Sequence, residues 1–127
     1  MKTRLPYAQA KEIADRVVEQ LSPYCERIEI AGSVRREKAT IGDIELVVIP
    51  KTVAIPDLLG RVSGRVSLLS RALENPRIFP WWQVRGGEFY KQFELPECNL
   101  DLFITTPEKW GCIYLIRTGS AEFTHWL

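Results

Sequence analysis

Gly42-Asp43-Ile44-Glu45-Leu46-Val47-Val48-Ile49-Pro50 is the stretch on which the reading of the fold turns. From Ile44 to Ile49 it is almost continuously apolar and rich in β-branched residues, which predicts a buried strand that Pro50 ends. Asp43 and Glu45 stand two apart at its start, so they share one face while Ile44 and Leu46 take the other. Carboxylates this close repel, so one must hold its proton more tightly or a cation must sit between them. Magnesium suits such a pair, because it prefers oxygen ligands and phosphates. The plainer alternative is a strand edge with two solvated acids.

Upstream, Arg27 to Ala31 reads as a short strand with Ile28 and Ile30 on one face. Gly32-Ser33 breaks it, and Val34 to Glu37 is expected to form a first helical turn with Ser33 as its cap. Backbone N–H groups at such a turn attract anions, and Arg35 and Arg36 add fixed positive charge. Taken alone, the same residues also fit an ordinary turn followed by two solvated arginines. Further upstream, Ala10, Ile13, Ala14, Val17, Val18 and Leu21 recur every three or four residues. That spacing predicts one apolar stripe on a helix beginning at Pro6 and stopped by Ser22-Pro23.

Downstream, Leu58, Leu59, Val62, Val66, Leu69 and Leu73 predict a helix over 55–73, weakened by Gly60 and Gly64 and closed by Asn75-Pro76. Gly86-Gly87 signals a two-residue hairpin between Gln83–Arg85 and Glu88–Leu95, and Leu95 to Cys98 a second turn. Asn99 to Thr105 alternates strictly, with Leu100, Leu102 and Ile104 on one face and Asp101 and Phe103 on the other. A lone aspartate in a buried strand is costly unless paired or metal-bound. Were this strand beside the Asp43–Glu45 strand, three carboxylates would converge, a set able to hold two Mg²⁺ ions for phosphoryl or nucleotidyl transfer. Pro107 is expected to open a last helix that Thr118-Gly119-Ser120 breaks. The order of elements predicts an α/β (α+β) fold, a mixed sheet backed by helices.

The 127 residues fit one domain, and 46% hydrophobic with 26% charged content is ordinary for a globular protein. A net charge of +1 argues against binding nucleic acid by bulk charge alone. Cys25, Cys98 and Cys112 match no zinc spacing and read as buried reduced thiols. The N-terminus lacks the apolar run of a signal peptide, and no stretch is long and apolar enough for a membrane span, so a cytoplasmic location and no membrane partner are expected. His125 reads as a packing or surface residue and Trp81-Trp82 as a half-buried pair. Arg85 and Lys91 read as a solvated hairpin face.

Gly32-Ser33, Arg35-Arg36, Gly42-Asp43-Ile44-Glu45, Leu100-Asp101-Leu102-Phe103, Trp110-Gly111 and Thr118-Gly119-Ser120, in that order, resemble the DNA polymerase beta-like nucleotidyltransferase superfamily, family X polymerases in particular. The resemblance covers about Cys25 to Leu127. It implies a palm over 25–106, preceded by an N-terminal helix within 1–24 and followed by the start of a thumb in 107–127. It implies transfer of a nucleotide from an NTP or dNTP to a hydroxyl, a DNA 3′-end above all, by two Mg²⁺ ions, with Mn²⁺ as a substitute. By the same resemblance Asp43, Glu45 and Asp101 are the catalytic metal ligands. Gly32, Ser33, Arg36 and Gly42 contact the triphosphate, and Thr118, Gly119 and Ser120 line the sugar and base side. Glu45 stands where the family generally has aspartate. The implied partners are a nucleoside triphosphate and a DNA primer-template or another nucleic acid, with a partner chain or dimer supplying DNA grip. Transfer to RNA, a protein or a small molecule is the alternative activity, and a non-catalytic nucleotide-binding module the alternative to an enzyme.

Overall fold

The computed structural model describes residues 4–118, with side chains through residue 114. Strand β1 (Leu5–Pro6) leads into helix α1 (Tyr7–Leu21), with Pro6 at the cap where its missing N–H costs nothing. α1 buries Ala10, Ile13, Ala14, Val17 and Leu21, the predicted stripe, and Val18 packs at its margin. A single 3₁₀ turn over Ser22–Tyr24 hands the chain to strand β2 (Cys25–Ala31) and helical turn α2 (Gly32–Arg35). There follow β3 (Thr40–Ile41), β4 (Asp43–Pro50), β5 (Thr52–Pro56), β6 (Val62–Ser67), α3 (Leu68–Leu73), β7 (Trp82–Gly86), β8 (Tyr90–Glu94), β9 (Asn99–Ile104) and α4 (Trp110–Thr118).

Five strands make one mixed sheet in the order β2-β4-β9-β8-β7. β4 and β9 run parallel at its centre, and the other neighbours are antiparallel. The architecture is therefore α+β, as the order of elements predicts. Alternation along β4 and β9 sorts the side chains into two layers. Ile44, Leu46, Val48, Leu100 and Leu102 join the α1 stripe and Leu69 of α3 in the main core. Leu46 and Leu102 are fully buried, each contributing roughly 1.5–3 kcal/mol of transfer free energy. On the opposite face, Ala31, Val47 and Ile49 pack beneath Trp110 of α4 in a smaller cluster that also takes in Phe103 and Tyr114. The Arg27 guanidinium sits 4.2 Å over the Trp110 ring, a cation–π contact that closes this layer.

Several expectations are corrected. The helix predicted over 55–73 is a hairpin, β5 paired with β6, and only Leu68–Leu73 is helical. Asp57 accounts for much of this: its Oδ1 accepts from the N–H groups of Leu59 and Arg61 at 2.8 and 2.9 Å, and Gly60 takes φ +79, so the chain turns where a helix would continue. The Gly86-Gly87 connection is longer than two residues, because Gly86 pairs with Lys91 and a bulge separates Gln83 from Arg85. Residues 107–109 form a turn, and α4 begins at Trp110. Trp81 packs between Phe79 and Phe93, whereas Trp82 is exposed, so the two do not form a pair. Cys25 and Cys98 are buried, but Cys112 is exposed. Among the described residues no helix is long and apolar enough to cross a membrane.

Candidate active site

The parallel pairing of β4 with β9 sets Glu45 directly beside Asp101 and Asp43 beside Asn99. Asp43, Glu45 and Asp101 consequently share the sheet face opposite the main core. The next strand outward, β8, places Gln92 beside Asp101 on the same face. Asp101 is 8% exposed, and two donors hold it: the Tyr90 hydroxyl at 2.6 Å and Gln92 Nε2 at 3.0 Å. Both bonds fall on Oδ1, so neither engages Oδ2. Two donors on one oxygen define the orientation of this buried carboxylate. The cost falls on the phenol: burial, the bond to Asp101, and the Asp101 and Asp43 charges push the Tyr90 hydroxyl up to about 12, opposed by Arg85. Tyr90 therefore remains a donor to Asp101 throughout the neutral range.

Glu45 lies on the other side. Its carboxylate rests against Gly32, which adopts φ +63, and a Cβ added to Gly32 would fall onto that carboxylate and come within 3.2 Å of Glu45 Cβ. The left-handed backbone and the close approach both call for glycine there. Ser33 is not the helix cap: Ala31 occupies that position, no side chain caps the turn, and Ser33 lies one residue inside it. Arg35 points Nε at the Tyr114 hydroxyl, 3.1 Å away, and that hydroxyl donates to the Ile30 carbonyl, tying α2 to α4. Arg36 is exposed at the end of α2. A cation that the sequence reading missed lies here too. Arg4 donates to the Thr40 hydroxyl and carbonyl at 2.9 and 2.8 Å, and its Nη1 lies 3.0 Å from where a Cβ on Gly42 would stand.

Asp43 is exposed as a residue, yet its carboxyl sits close enough to the sheet to lose part of its hydration. That burial raises its proton affinity above the usual carboxylate range, the Asp101 charge raises it further, and Arg4 opposes both. The ionised form is thus disfavoured in the folded state, and stability falls as pH rises through the ordinary aspartate pKa toward the raised one. Asp43→Asn is therefore expected to melt higher than the parent at pH 7, with the gap narrowing toward pH 4. Thermal melts across that range check this, and an equal or lower melting point at pH 7 would contradict it.

The donor chemistry suits a hard divalent cation: three carboxylates on one face, two of them on directly paired positions. Among the described residues, no three Asp, Glu, His or Cys side chains converge into a ready metal site as they stand. The two orientations above account for that, since Asp101 is drawn toward β8 and Glu45 toward Gly32. The backbone sets the three positions on one face, with Glu45 beside Asp101.

Beside Glu45, Asp101 and Tyr90 lies a cavity of about 630 Å³. Arg85 lies on the carboxylate side, while Lys91 pairs opposite Leu102 and shares its face. Thr118 closes α4, and Gly119, Ser120 and His125 lie outside the described residues. No protein-family model matches the chain, and no curated protein is significantly similar to it.

Proposed function

We propose that the chain is a Mg²⁺-dependent nucleotidyltransferase with a polymerase beta-like palm, closest in kind to the family X polymerases. It transfers a nucleotide from an NTP or dNTP to a hydroxyl, with a DNA 3′-end as the first acceptor to test. The observation that carries this reading is the shared face of Asp43, Glu45 and Asp101 on parallel strands, with Glu45 and Asp101 side by side. The motif order from Gly32-Ser33 to Thr118-Gly119-Ser120 supports it.

In this reading Asp43, Glu45 and Asp101 hold the cations, which would neutralise the triphosphate and lower the proton affinity of the attacking hydroxyl. Gly32, Ser33, Arg36 and Gly42 bind phosphate oxygens, and Arg4 adds positive charge beside Gly42. The acceptor oxygen bonds to the α-phosphorus, the bond to the β-phosphate bridging oxygen breaks, and pyrophosphate leaves with the electron pair. The hydroxyl proton passes to Asp101 or to water. Tyr90 and Gln92 keep Asp101 oriented for that transfer.

The test combines pure protein, Mg²⁺ or Mn²⁺, labelled nucleotides and a gapped DNA primer, with Asp43→Ala as the control. Incorporation that disappears in the variant is the expected result. No incorporation into DNA, RNA, protein or small hydroxylic acceptors would sink the reading. One observation favours a small acceptor over a strand end, the cavity of about 630 Å³ beside Asp101.

A further inference from the structure

The sheet separates two sides of the carboxylate row. Gly32 and Ser33 lie beyond Glu45 on the β2 side, whereas the cavity lies beyond Asp101 on the β8 side, between the sheet and the start of α4. Its volume, about 630 Å³, falls within the roughly 300–1,000 Å³ typical of small-molecule pockets. Phe89, Phe103 and Ile113 supply an apolar wall, and the Tyr90 and Phe103 rings lie 5.1 Å apart within it.

The two ends of this cavity differ in charge. Glu45 and Asp101 stand at one end, and Thr105, Thr106 and Lys109 at the other. Asp101 and Thr105 are four residues apart along an extended chain, so the ends are separated by about 13 Å. Thr105 has the same parity as Asp101 and Phe103, and its N–H continues the ladder by donating to Val48 at 2.9 Å, so its side chain takes the cavity face. It is 6% exposed, and its hydroxyl oxygen is buried with no hydrogen-bond partner. An unpartnered buried hydroxyl costs about 1–3 kcal/mol, and a ligand atom would recover it once the Thr105 side chain turns its oxygen to the cavity.

We propose that this cavity binds a small aromatic molecule carrying a hydroxyl at one end and an anionic group at the other. The ring lies against Phe89 and Phe103, the anion meets Lys109 and the Thr105 hydroxyl, and the ligand hydroxyl is presented beside Asp101. Resting on the nucleotidyltransferase reading, this molecule is the acceptor: its hydroxyl oxygen takes the nucleotidyl group as pyrophosphate departs. The binding itself does not depend on that reading.

The probe is 3-(4-hydroxyphenyl)propionate, titrated calorimetrically into the whole chain. Comparison ligands are 3-phenylpropionate, which lacks the hydroxyl, and tyramine, which replaces the anion by a cation. Saturable binding of the probe, with tyramine at least tenfold weaker, is expected. Thr105→Val is expected to weaken the probe about tenfold, the effect of one buried hydrogen bond. Lys109→Gln, at an exposed position that leaves packing intact, is expected to weaken it severalfold and to abolish the preference over tyramine. Absence of saturable binding at millimolar probe, or unchanged affinity in Lys109→Gln, overturns the proposal. A separate titration of the parent chain with Mg²⁺ and ATP reports on the nucleotide reading alone. Probe binding without ATP binding leaves the pocket standing and removes its acceptor role, whereas ATP binding without probe binding removes the pocket only.

Discussion

Gly32→Ala is expected to lower stability by about 1–2 kcal/mol, the cost of holding a residue with a Cβ in the left-handed region, and to disable nucleotide transfer as well. Two observations combine here. Gly32 sits at φ +63, and an added Cβ falls on the Glu45 carboxylate. The carboxylate is the movable end of a flexible chain, so the fold can survive by pushing it away. That escape re-aims the carboxylate of one of the three acids, although the backbone keeps Glu45 on the shared face. A lower melting temperature together with lost Mg²⁺-dependent ATP binding is the expected pair of results. A variant that melts like the parent and binds ATP normally would show that neither the backbone conformation nor the contact matters.

Asp101→Asn is expected to reduce nucleotide transfer by roughly 100- to 1,000-fold, the range for removing one preorganised charge-stabilising group, while changing the melting temperature little. Asparagine keeps an oxygen that can accept from Tyr90 and Gln92, so the local hydrogen bonds survive and the charge does not. Tyr90→Phe supplies the contrast. It keeps the charge and removes one donor, so the expected loss is smaller, about tenfold for one hydrogen bond to a charged group. Rate and melting temperature together separate positioning from mere packing: a purely structural Tyr90 would lower the melting temperature and leave the rate of the folded protein where it is. Equal activity of Asp101→Asn and the parent would remove Asp101 from the site.

Much of the site is legible in the sequence because it rests on strand alternation. The i, i+2 spacing of Asp43 and Glu45, and the placement of Asp101 between Leu100 and Leu102, specify faces that the sheet reproduces. The partners of those acids are not legible in the same way. Tyr90 and Gln92 reach Asp101 through the β8–β9 register, and Arg4 reaches Gly42 through the pairing of β1 with β3. Register between separated segments leaves no local mark beyond the turns that set it. The misread helix over 55–73 has a different cause. Leucine and valine spaced by three and four residues satisfy a helical template, but Leu58, Leu59 and Val62 are exposed in the structure, so no core rewards that stripe. Side-chain bonds from Asp57 decide the turn instead.

The central parallel pair has a kinetic meaning as well. Glu45 and Asp101 are 56 residues apart in the chain (101 minus 45), yet adjacent in the sheet. Closing a loop of that length costs about 3–4 kcal/mol of chain entropy before any contact repays it. Glu45 and Asp101 therefore come together only once a non-local step has been completed, and they part only when the middle of the sheet opens. Amides on β4 and β9 should thus exchange with solvent hydrogen at the slow rate set by global unfolding, while those of the β5–β6 hairpin exchange through local opening. The acidic centre and the folded state are then a single cooperative unit: a destabilising change in the α1 stripe, far from any carboxylate, would appear first as a smaller fraction of molecules that possess a site at all.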